Sequence, residues 1–247
     1  MSVYQSLVAA ANTKGAGYLV LVDPDKTDGN TFAQFIEEAT DAGVDGFLVG
    51  GSLVLADTFE DCIKTIKKNT NVPVVIFPGS VQQISKDADA ILYLSLLSGR
   101  NAEHIIGSQV TAAPIIKRMN LEAISTAYML VESGRTTSAE FMSNTKPLPR
   151  NKPDIAVAHA LAAEYIGFKL LYLEAGSGAE QSVPDEMITA VSQYCSVPLI
   201  VGGGIRTAED AHKKVKAGAR FVVTGNVLEQ NGSKNLIKEF ASAIHLR

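Results

Sequence analysis

The segment PLIVGGGIRTAED, residues 198–210, decides the fold of this chain. Its short apolar run, residues 198–201, predicts a buried β-strand. Three consecutive glycines follow, and Thr207 and Asp210 then have the spacing of a capping box that begins a helix. A strand, a glycine-rich loop and a helix in this order are typical of one unit of an α/β protein.

The same unit recurs at intervals of roughly 25 to 30 residues along the chain. Eight apolar runs are predicted as strands: residues 18–22, 46–49, 72–77, 90–94, 125–131, 170–173, 198–201 and 221–224. Because these runs are almost continuously apolar, they suit parallel strands that are covered on both faces. We therefore expect a single (β/α)8-barrel domain spanning residues 1–247.

Two intervals depart from this rhythm. Only residues 78–89 separate the third and fourth predicted strands, which is near the minimum for a crossover helix, so the third helix is expected to be shortened or missing. The interval after the fifth strand is long and polar instead. Residues 133–154 could form a mobile lid over a site or a solvated connector without a role.

Composition narrows the classes of function. The 247 residues are 46% hydrophobic and carry a net charge of -4, which disfavours binding to nucleic acid. The sequence has no signal-peptide pattern and no apolar stretch of the roughly 18 residues that span a bilayer, so we expect a cytoplasmic protein with at most peripheral membrane contact. Cys62 and Cys195 lack the spacing of metal ligands and are predicted to be buried and reduced.

The residues that follow each strand are the candidates for a site, because barrels of this kind build their sites at the C-terminal ends of the strands. Gly203 and Gly204 follow the seventh strand, and Gly225 and Asn226 follow the eighth. Backbone N–H groups that approach an anion beside a helix N-terminus need such residues, which predicts a phosphate-binding site. Alternatively, the glycines only allow tight turns or close packing.

Strand six ends in Tyr172 and Glu174, and the flexible loop 175–178 follows. Side chains alternate along a strand, so the phenol and the carboxylate are expected to point the same way and to hold the hydroxyl groups of a polyol. Glu174 is the acid–base candidate. Alternatively, it is the structural partner of a buried arginine.

Asp23 follows the first strand and Ser52 follows the second. A carboxylate and a hydroxyl at neighbouring strand ends suit Mg2+, which takes few protein oxygens and completes its shell with water and phosphates. Alternatively, Asp23 caps a turn. Arg100 and Arg135, after strands four and five, could bind a diphosphate or be ordinary solvated arginines.

Six motifs together resemble the geranylgeranylglyceryl phosphate synthases: LVDPDK (21–26), FLVGGS (47–52), VVIFPGS (74–80), YLEAGSG (172–178), IVGGGI (200–205) and VTGN (223–226). The resemblance implies a modified TIM barrel that lacks a regular third helix. It also implies that geranylgeranyl diphosphate and sn-glycerol 1-phosphate react to give the 3-O-geranylgeranyl ether and diphosphate. Leu21 departs from one branch of the family, whose members carry a lysine there.

The same resemblance assigns residues to sites. Asp23 and Ser52 match the Mg2+ site, and Tyr128 lies where the family also offers a tyrosine to the glycerol. Homo-oligomers are expected. The matches to the glycerol phosphate site are Tyr172, Leu173, Glu174, Ala175, Gly176, Ser177, Gly178, Gly203, Gly204, Gly225 and Asn226.

Two other functions stay open from the residues alone. Phosphosugar isomerase or lyase barrels share the glycine-rich phosphate loops and need neither Mg2+ nor an apolar groove. A barrel that binds a phosphorylated metabolite without catalysis would be stabilised by its ligand but would show no turnover.

Overall fold

Eight parallel strands close into a barrel in the computed structural model, which describes residues 1–27, 29–225, 227–228 and 234–246. Each strand pairs with the next, and β8 pairs with β1. All eight predicted strands are confirmed; the largest shift is in β5, which begins at Glu122 rather than at residue 125. The strands are β1 Gly17–Val22, β2 Gly46–Val49, β3 Val74–Ile76, β4 Ala90–Leu96, β5 Glu122–Leu130, β6 Leu170–Glu174, β7 Leu199–Gly202 and β8 Phe221–Thr224.

Helices surround the barrel, and a 3-10 turn and a π-helical turn precede α2 and α4 respectively. In the described part of the chain, no helix is long and apolar enough to cross a bilayer. Both cysteines are buried and free, as predicted. The helices are α1 Val3–Lys14, α2 Gly29–Asp41, α3 Phe59–Asn69, α4 Ser108–Met119, α5 Ser138–Ser143, α6 Pro153–Ile166, α7 Asp185–Tyr194, α8 Ala208–Ala217 and α9 Lys234–Ile244.

The crossover from β3 to β4 contains no helix in residues 77–89, all of which are described, so the predicted missing helix is confirmed. Side chains hold this segment in place instead. Ser85 donates a hydrogen bond to Glu60 (2.7 Å), and Asp89 accepts one from the Val74 N–H (2.8 Å). The barrel therefore lacks the crossover helix that would lie between α3 and α4.

Helix α1 closes the N-terminal end of the barrel. Its Leu7 and Ala11 belong to the same buried cluster as the side chains that fill the barrel interior. Glu122, at the start of β5, accepts hydrogen bonds from the first N–H groups of α1, those of Val3 (2.6 Å) and Tyr4 (3.1 Å). A carboxylate at this end of a helix stabilises it. The barrel interior is therefore covered at its N-terminal end.

Asp45 fastens the two ends of the chain to the barrel. The carboxylate is 7% exposed and accepts hydrogen bonds from the Tyr18 N–H (2.8 Å), Lys14 (2.6 Å) and His245 (2.9 Å). Burial alone would raise the pKa of Asp45, but the hydrogen bonds from His245, Lys14 and Tyr18 outweigh it and lower the pKa below its usual value. Ionised Asp45 therefore stabilises the fold.

We expect Asp45→Asn to lower the free energy of unfolding by about 3 kcal/mol, because it removes one partner of a buried charge cluster. The melting temperature should fall by roughly 6–12 °C, measured by thermal unfolding at pH 7. Because the folded-state pKa is depressed, the contribution is present above the unfolded pKa and is lost as the pH falls through the folded one. Asp41→Asn, on an exposed carboxylate, is the control and should change stability by less than about 0.5 kcal/mol. Equal melting temperatures for Asp45→Asn and the parent chain would contradict the assignment.

Candidate active site

A cavity of about 1020 Å³ opens at the C-terminal ends of the strands. This is the end of the barrel at which the sequence placed the site. The cavity brings together side chains and loops that follow β1, β2, β6, β7 and β8. The predicted residues that line it are Asp23, Ser52, Tyr172, Glu174, Gly176, Ser177, Gly178, Gly203, Gly204 and Gly225.

Two members of the predicted set are placed differently, and the position of a third is not described. Leu173 and Ala175 are fully buried in the layer between the sheet and the helices, and they do not line the cavity. Alternation along β6 is the cause, since Tyr172 and Glu174 take the inward positions. Asn226 lies outside the described residues.

Glu174 lies at the end of β6 with only 4% of its surface exposed. Burial raises the pKa of its carboxyl to about 7, and the hydrogen bond that it accepts from the Gly176 N–H (2.6 Å) opposes this rise. The alternative role predicted an arginine partner, but the structure supplies a backbone N–H. A buried carboxyl that titrates near neutral pH is suited to acid–base chemistry.

Three aromatic rings form one wall beside this carboxylate. Phe77 stacks on Tyr172 with ring centroids 5.1 Å apart, and Tyr128 meets Tyr172 edge-on at 5.5 Å. The Tyr172 hydroxyl is buried, and the Glu174 carboxylate is the charged group that acts on it. Burial and then the Glu174 charge raise the pKa of Tyr172, so this phenol stays protonated. The site therefore has a hydroxyl donor beside the Glu174 carboxylate.

The glycines after β7 make room for the side chains of β6. Gly202 pairs with Glu174 in the sheet, and a Cβ at Gly202 would lie 2.5 Å from the Tyr172 hydroxyl. Gly203 has a φ of +81°, and a Cβ there would lie 2.6 Å from the Gly176 nitrogen. Gly202 and Gly203 therefore do allow close packing, as one of the two interpretations of the glycine-rich loop expected. The same packing brings the loops after β6 and β7 together around Glu174.

Asp23 and Ser52 lie at the rim of the cavity. Asp23 accepts a hydrogen bond from the Asp25 N–H (3.2 Å), so it does cap a turn, and it also forms an ion pair with Lys26 (3.1 Å). A Cβ at Gly51 would lie 3.7 Å from Asp23 Oδ1, which places the Ser52 loop beside this carboxylate. The two predicted oxygen ligands therefore share one corner of the cavity.

The side chain of Gln83, which was not among the predicted site residues, joins the loops at this corner. The side chain is 4% exposed; it accepts from the N–H groups of Gly51 (3.3 Å) and Gly79 (3.2 Å) and donates to the Gly51 carbonyl (2.9 Å). One amide thus joins the loop after β2 to the segment that replaces the third helix. Its position in that segment is the only signal that could have drawn attention to it.

Two helices that the site prediction did not include, α4 and α5, complete the walls of the cavity. Helix α5 lies within residues 133–154, the segment with two open interpretations, and it lines the cavity through residues such as Ser138 and Met142. Arg135 also lines the cavity, whereas Arg100 does not. An apolar groove extends from the cavity where the third helix is missing. Its lining residues are Val81, Ile84, Ile91, Tyr93, Ala112 and Ile116.

Comparison with known proteins identifies relatives across nearly the whole chain. The model of the PcrB family matches residues 10–244. A geranylgeranylglyceryl phosphate synthase of Chitinophaga pinensis is 44% identical over 243 residues, which is 98% of this chain and 96% of the relative. The synthase of Pyrococcus furiosus is 46% identical over 217 residues, covering 87% of this chain and 86% of the relative.

Solved structures agree with these relatives. A crystal structure of (S)-3-O-geranylgeranylglyceryl phosphate synthase from Thermoplasma acidophilum, in complex with its substrate sn-glycerol-1-phosphate, has a TM-score of 0.93, with 35% identity and 99% of each chain covered. Tryptophan synthase of Mycobacterium tuberculosis has a TM-score of 0.65 and 13% identity, with 100% of this chain and 99% of that chain covered. At that identity only the barrel fold is shared.

We expect Gly203→Ala to destabilise the protein more than Gly167→Ala, although both glycines have a positive φ, +81° and +96° respectively. A Cβ at residue 167 meets nothing within 4 Å, so only backbone strain of about 1 kcal/mol is added. At residue 203 the new methyl must also displace the backbone of Gly176, for a total of about 3 kcal/mol. Urea unfolding of the two variants measures the difference. Equal losses of stability would contradict the close contact of these two loops.

Proposed function

The chain belongs to the PcrB family, and on that basis we propose that it is a prenyltransferase of archaeal-type ether lipid synthesis. It joins geranylgeranyl diphosphate to the 3-hydroxyl of sn-glycerol 1-phosphate and releases diphosphate. The observation that carries the proposal is the position of Glu174, a buried carboxyl with a pKa of about 7, between glycine-rich loops and an apolar groove.

The glycine-rich loops after β7 and β8 would hold the phosphate of the glycerol substrate. Gly203, Gly204 and Gly225 line the cavity, and Thr207 caps the helix that follows, α8, by accepting a hydrogen bond from the Asp210 N–H (3.1 Å). Backbone N–H groups and a helix N-terminus at this end of a barrel favour an anion. The complex of the Thermoplasma acidophilum relative with sn-glycerol-1-phosphate supports this assignment.

Glu174 would accept the proton of the glycerol hydroxyl. In the reaction the hydroxyl oxygen forms a bond to the allylic carbon, the bond from that carbon to the diphosphate oxygen breaks, and the proton passes to the Glu174 carboxylate. Tyr172 lies beside Glu174 with a buried, protonated hydroxyl and would orient the glycerol. Holding both reactants in one orientation lowers the barrier further.

The apolar groove would hold the prenyl chain. It is lined by aliphatic residues of β4 and α4 and by the segment without a helix, including Ile84, Ile91 and Ile116. Burying a chain of this kind contributes about 0.8 kcal/mol for each CH2 group, which is ample to bind a long isoprenoid. The groove also excludes water, which would otherwise capture the positive charge that develops on the allylic carbon.

The residues at the cavity rim fit a magnesium site. The carboxylate of Asp23 and the hydroxyl of Ser52 are hard oxygen donors beside each other, and Mg2+ usually takes only one or two protein ligands. We therefore propose a sparse site at Asp23 and Ser52 that is completed by water and the substrate diphosphate. Bound there, Mg2+ would neutralise the charge of the leaving diphosphate. Lys26, paired with Asp23, adds positive charge at the same rim.

Neither alternative function is favoured. The similarity to tryptophan synthase, at 13% identity, carries the fold alone. A barrel that only binds a metabolite has no use for a buried carboxyl titrating near neutral pH next to an apolar groove.

The test is to incubate the purified protein with labelled sn-glycerol 1-phosphate and prenyl diphosphates of several lengths, with Mg2+ or with EDTA. We expect an ether product with geranylgeranyl diphosphate, and a loss of turnover in EDTA. Glu174→Gln should fold normally and lose about 10³-fold in kcat, because the base is gone. Glu132→Gln, on an exposed carboxylate outside the cavity, is the matched control. Absence of product with every prenyl diphosphate would refute the proposed function.

The pH profile tests the role of Glu174 separately. The catalytic form is the carboxylate, and burial raises the pKa of the group to about 7, so kcat/KM should fall about tenfold per pH unit below pH 7 and level off above it. Glu174→Gln should lose this dependence. Initial rates at subsaturating glycerol phosphate between pH 5 and 9 measure it; a flat profile down to pH 5 would remove Glu174 as the base.

A further inference from the structure

Three consecutive carbonyl groups in the loop after β6 accept hydrogen bonds from arginines. Arg135, from the loop after β5, donates to the carbonyl of Gly178. Arg206, from the loop after β7, donates to the carbonyls of Ala179 (2.8 Å) and Glu180 (3.1 Å). Two guanidinium groups from opposite sides thus hold residues 178–180, which we name the clamped loop.

The clamped loop is part of a continuous contact between the segments after β6 and β7. Gly203 packs on Gly176, and Gly204 packs on Gln181, where added Cβ atoms would lie 2.6 Å from the Gly176 nitrogen and 3.0 Å from the Gln181 carbonyl carbon. Arg206 follows two residues later and contacts the chain between these points. The glycines allow the close approach, and Arg206 supplies the attraction that holds it.

The partners of both arginines are neutral. Among the described residues, no carboxylate forms an ion pair with Arg135 or Arg206, and both side chains line the cavity. A guanidinium that binds carbonyl oxygens keeps its full positive charge, and it has five N–H donors, so some are left for an anion. The charge therefore remains at the cavity that Gly203 and Gly204 also line.

We propose that Arg206, together with Arg135, is a positioning residue of the phosphate site. It holds the clamped loop against Gly203 and Gly204 and directs positive charge to a bound phosphate monoester. This inference rests on the proposed function and specifies which residues outside the glycine-rich motifs give the site its affinity.

The clamped loop also supports Glu174. The Ala179 N–H donates to the Gly176 carbonyl (3.1 Å), and the Gly176 N–H donates to Glu174 (2.6 Å). Arg206 therefore acts on the carboxylate only through this turn. Its loss should weaken phosphate binding more than it slows the chemical step.

The experiment measures the binding of sn-glycerol 1-phosphate and of inorganic phosphate by titration calorimetry, with kcat and both KM values measured in parallel. We expect Arg206→Met to raise the Kd for glycerol 1-phosphate about tenfold or more, because hydrogen bonds that involve a charged group are lost. Its KM for the prenyl diphosphate should stay unchanged, and kcat should stay within about threefold. Arg135→Met should act in the same direction.

Arg206→Lys keeps the charge but cannot bridge two carbonyls, so its Kd should lie between those of the parent chain and Arg206→Met. The matched control is Arg100→Met. Arg100 also binds carbonyls at this end of the barrel, those of Leu97 (3.4 Å) and Gly99 (2.6 Å), but does not line the cavity. Its loss should leave the Kd unchanged.

Unchanged affinity in Arg206→Met, or equal weakening in Arg100→Met, would overturn the inference while leaving the proposed function intact. Failure of the parent chain to bind glycerol 1-phosphate would instead overturn the proposed function. If Arg206→Met does not fold, Arg206→Lys decides, since affinity equal to the parent chain would exclude the bridging role.

Discussion

The site depends on the exclusion of water from one carboxylate, that of Glu174. Glu174 is 4% exposed, and burying an ionised carboxylate costs several kcal/mol unless polar groups meet it. Its hydrogen bond comes from the Gly176 N–H, which faces Glu174 only because the chain turns sharply after β6. This turn after β6 also requires Gly202 and Gly203 opposite it, because side chains there would collide with Tyr172, Glu174 and Gly176. The motifs 172–178 and 200–205 are therefore one structural unit, although 21 residues separate them in the sequence.

The sequence predicted the barrel well because its signals are local. Continuous apolar runs identified all eight strands, and the short interval 78–89 identified the missing helix. Alternation along β6 correctly placed Tyr172 and Glu174 on one side. The same rule places Leu173 and Ala175 on the other, so their assignment by resemblance adds no cavity side chains.

Contacts between distant loops could not be predicted in this way. The three hydrogen bonds of Gln83 and the carbonyl partners of Arg206 depend on how loops fold over the barrel end, and no periodicity records them. Helix α5 has only six residues within a polar segment, too few to show a helical pattern. The resemblance supplied the residues of the site, but the structure was needed to show what holds them in place.

The seam between β1 and β8 joins parts of the chain that are about 200 residues apart. The hydroxyls of Tyr18 and Thr224 meet across it at 2.8 Å, and the Leu246 N–H donates to the Lys14 carbonyl at 2.8 Å. During synthesis β1 cannot pair with β8 until β8 has been made. Until then β1 and β7 both have unpaired edges. Open edges invite pairing with other chains. We therefore expect barrel closure to come late in folding and to leave these edges open until it is complete.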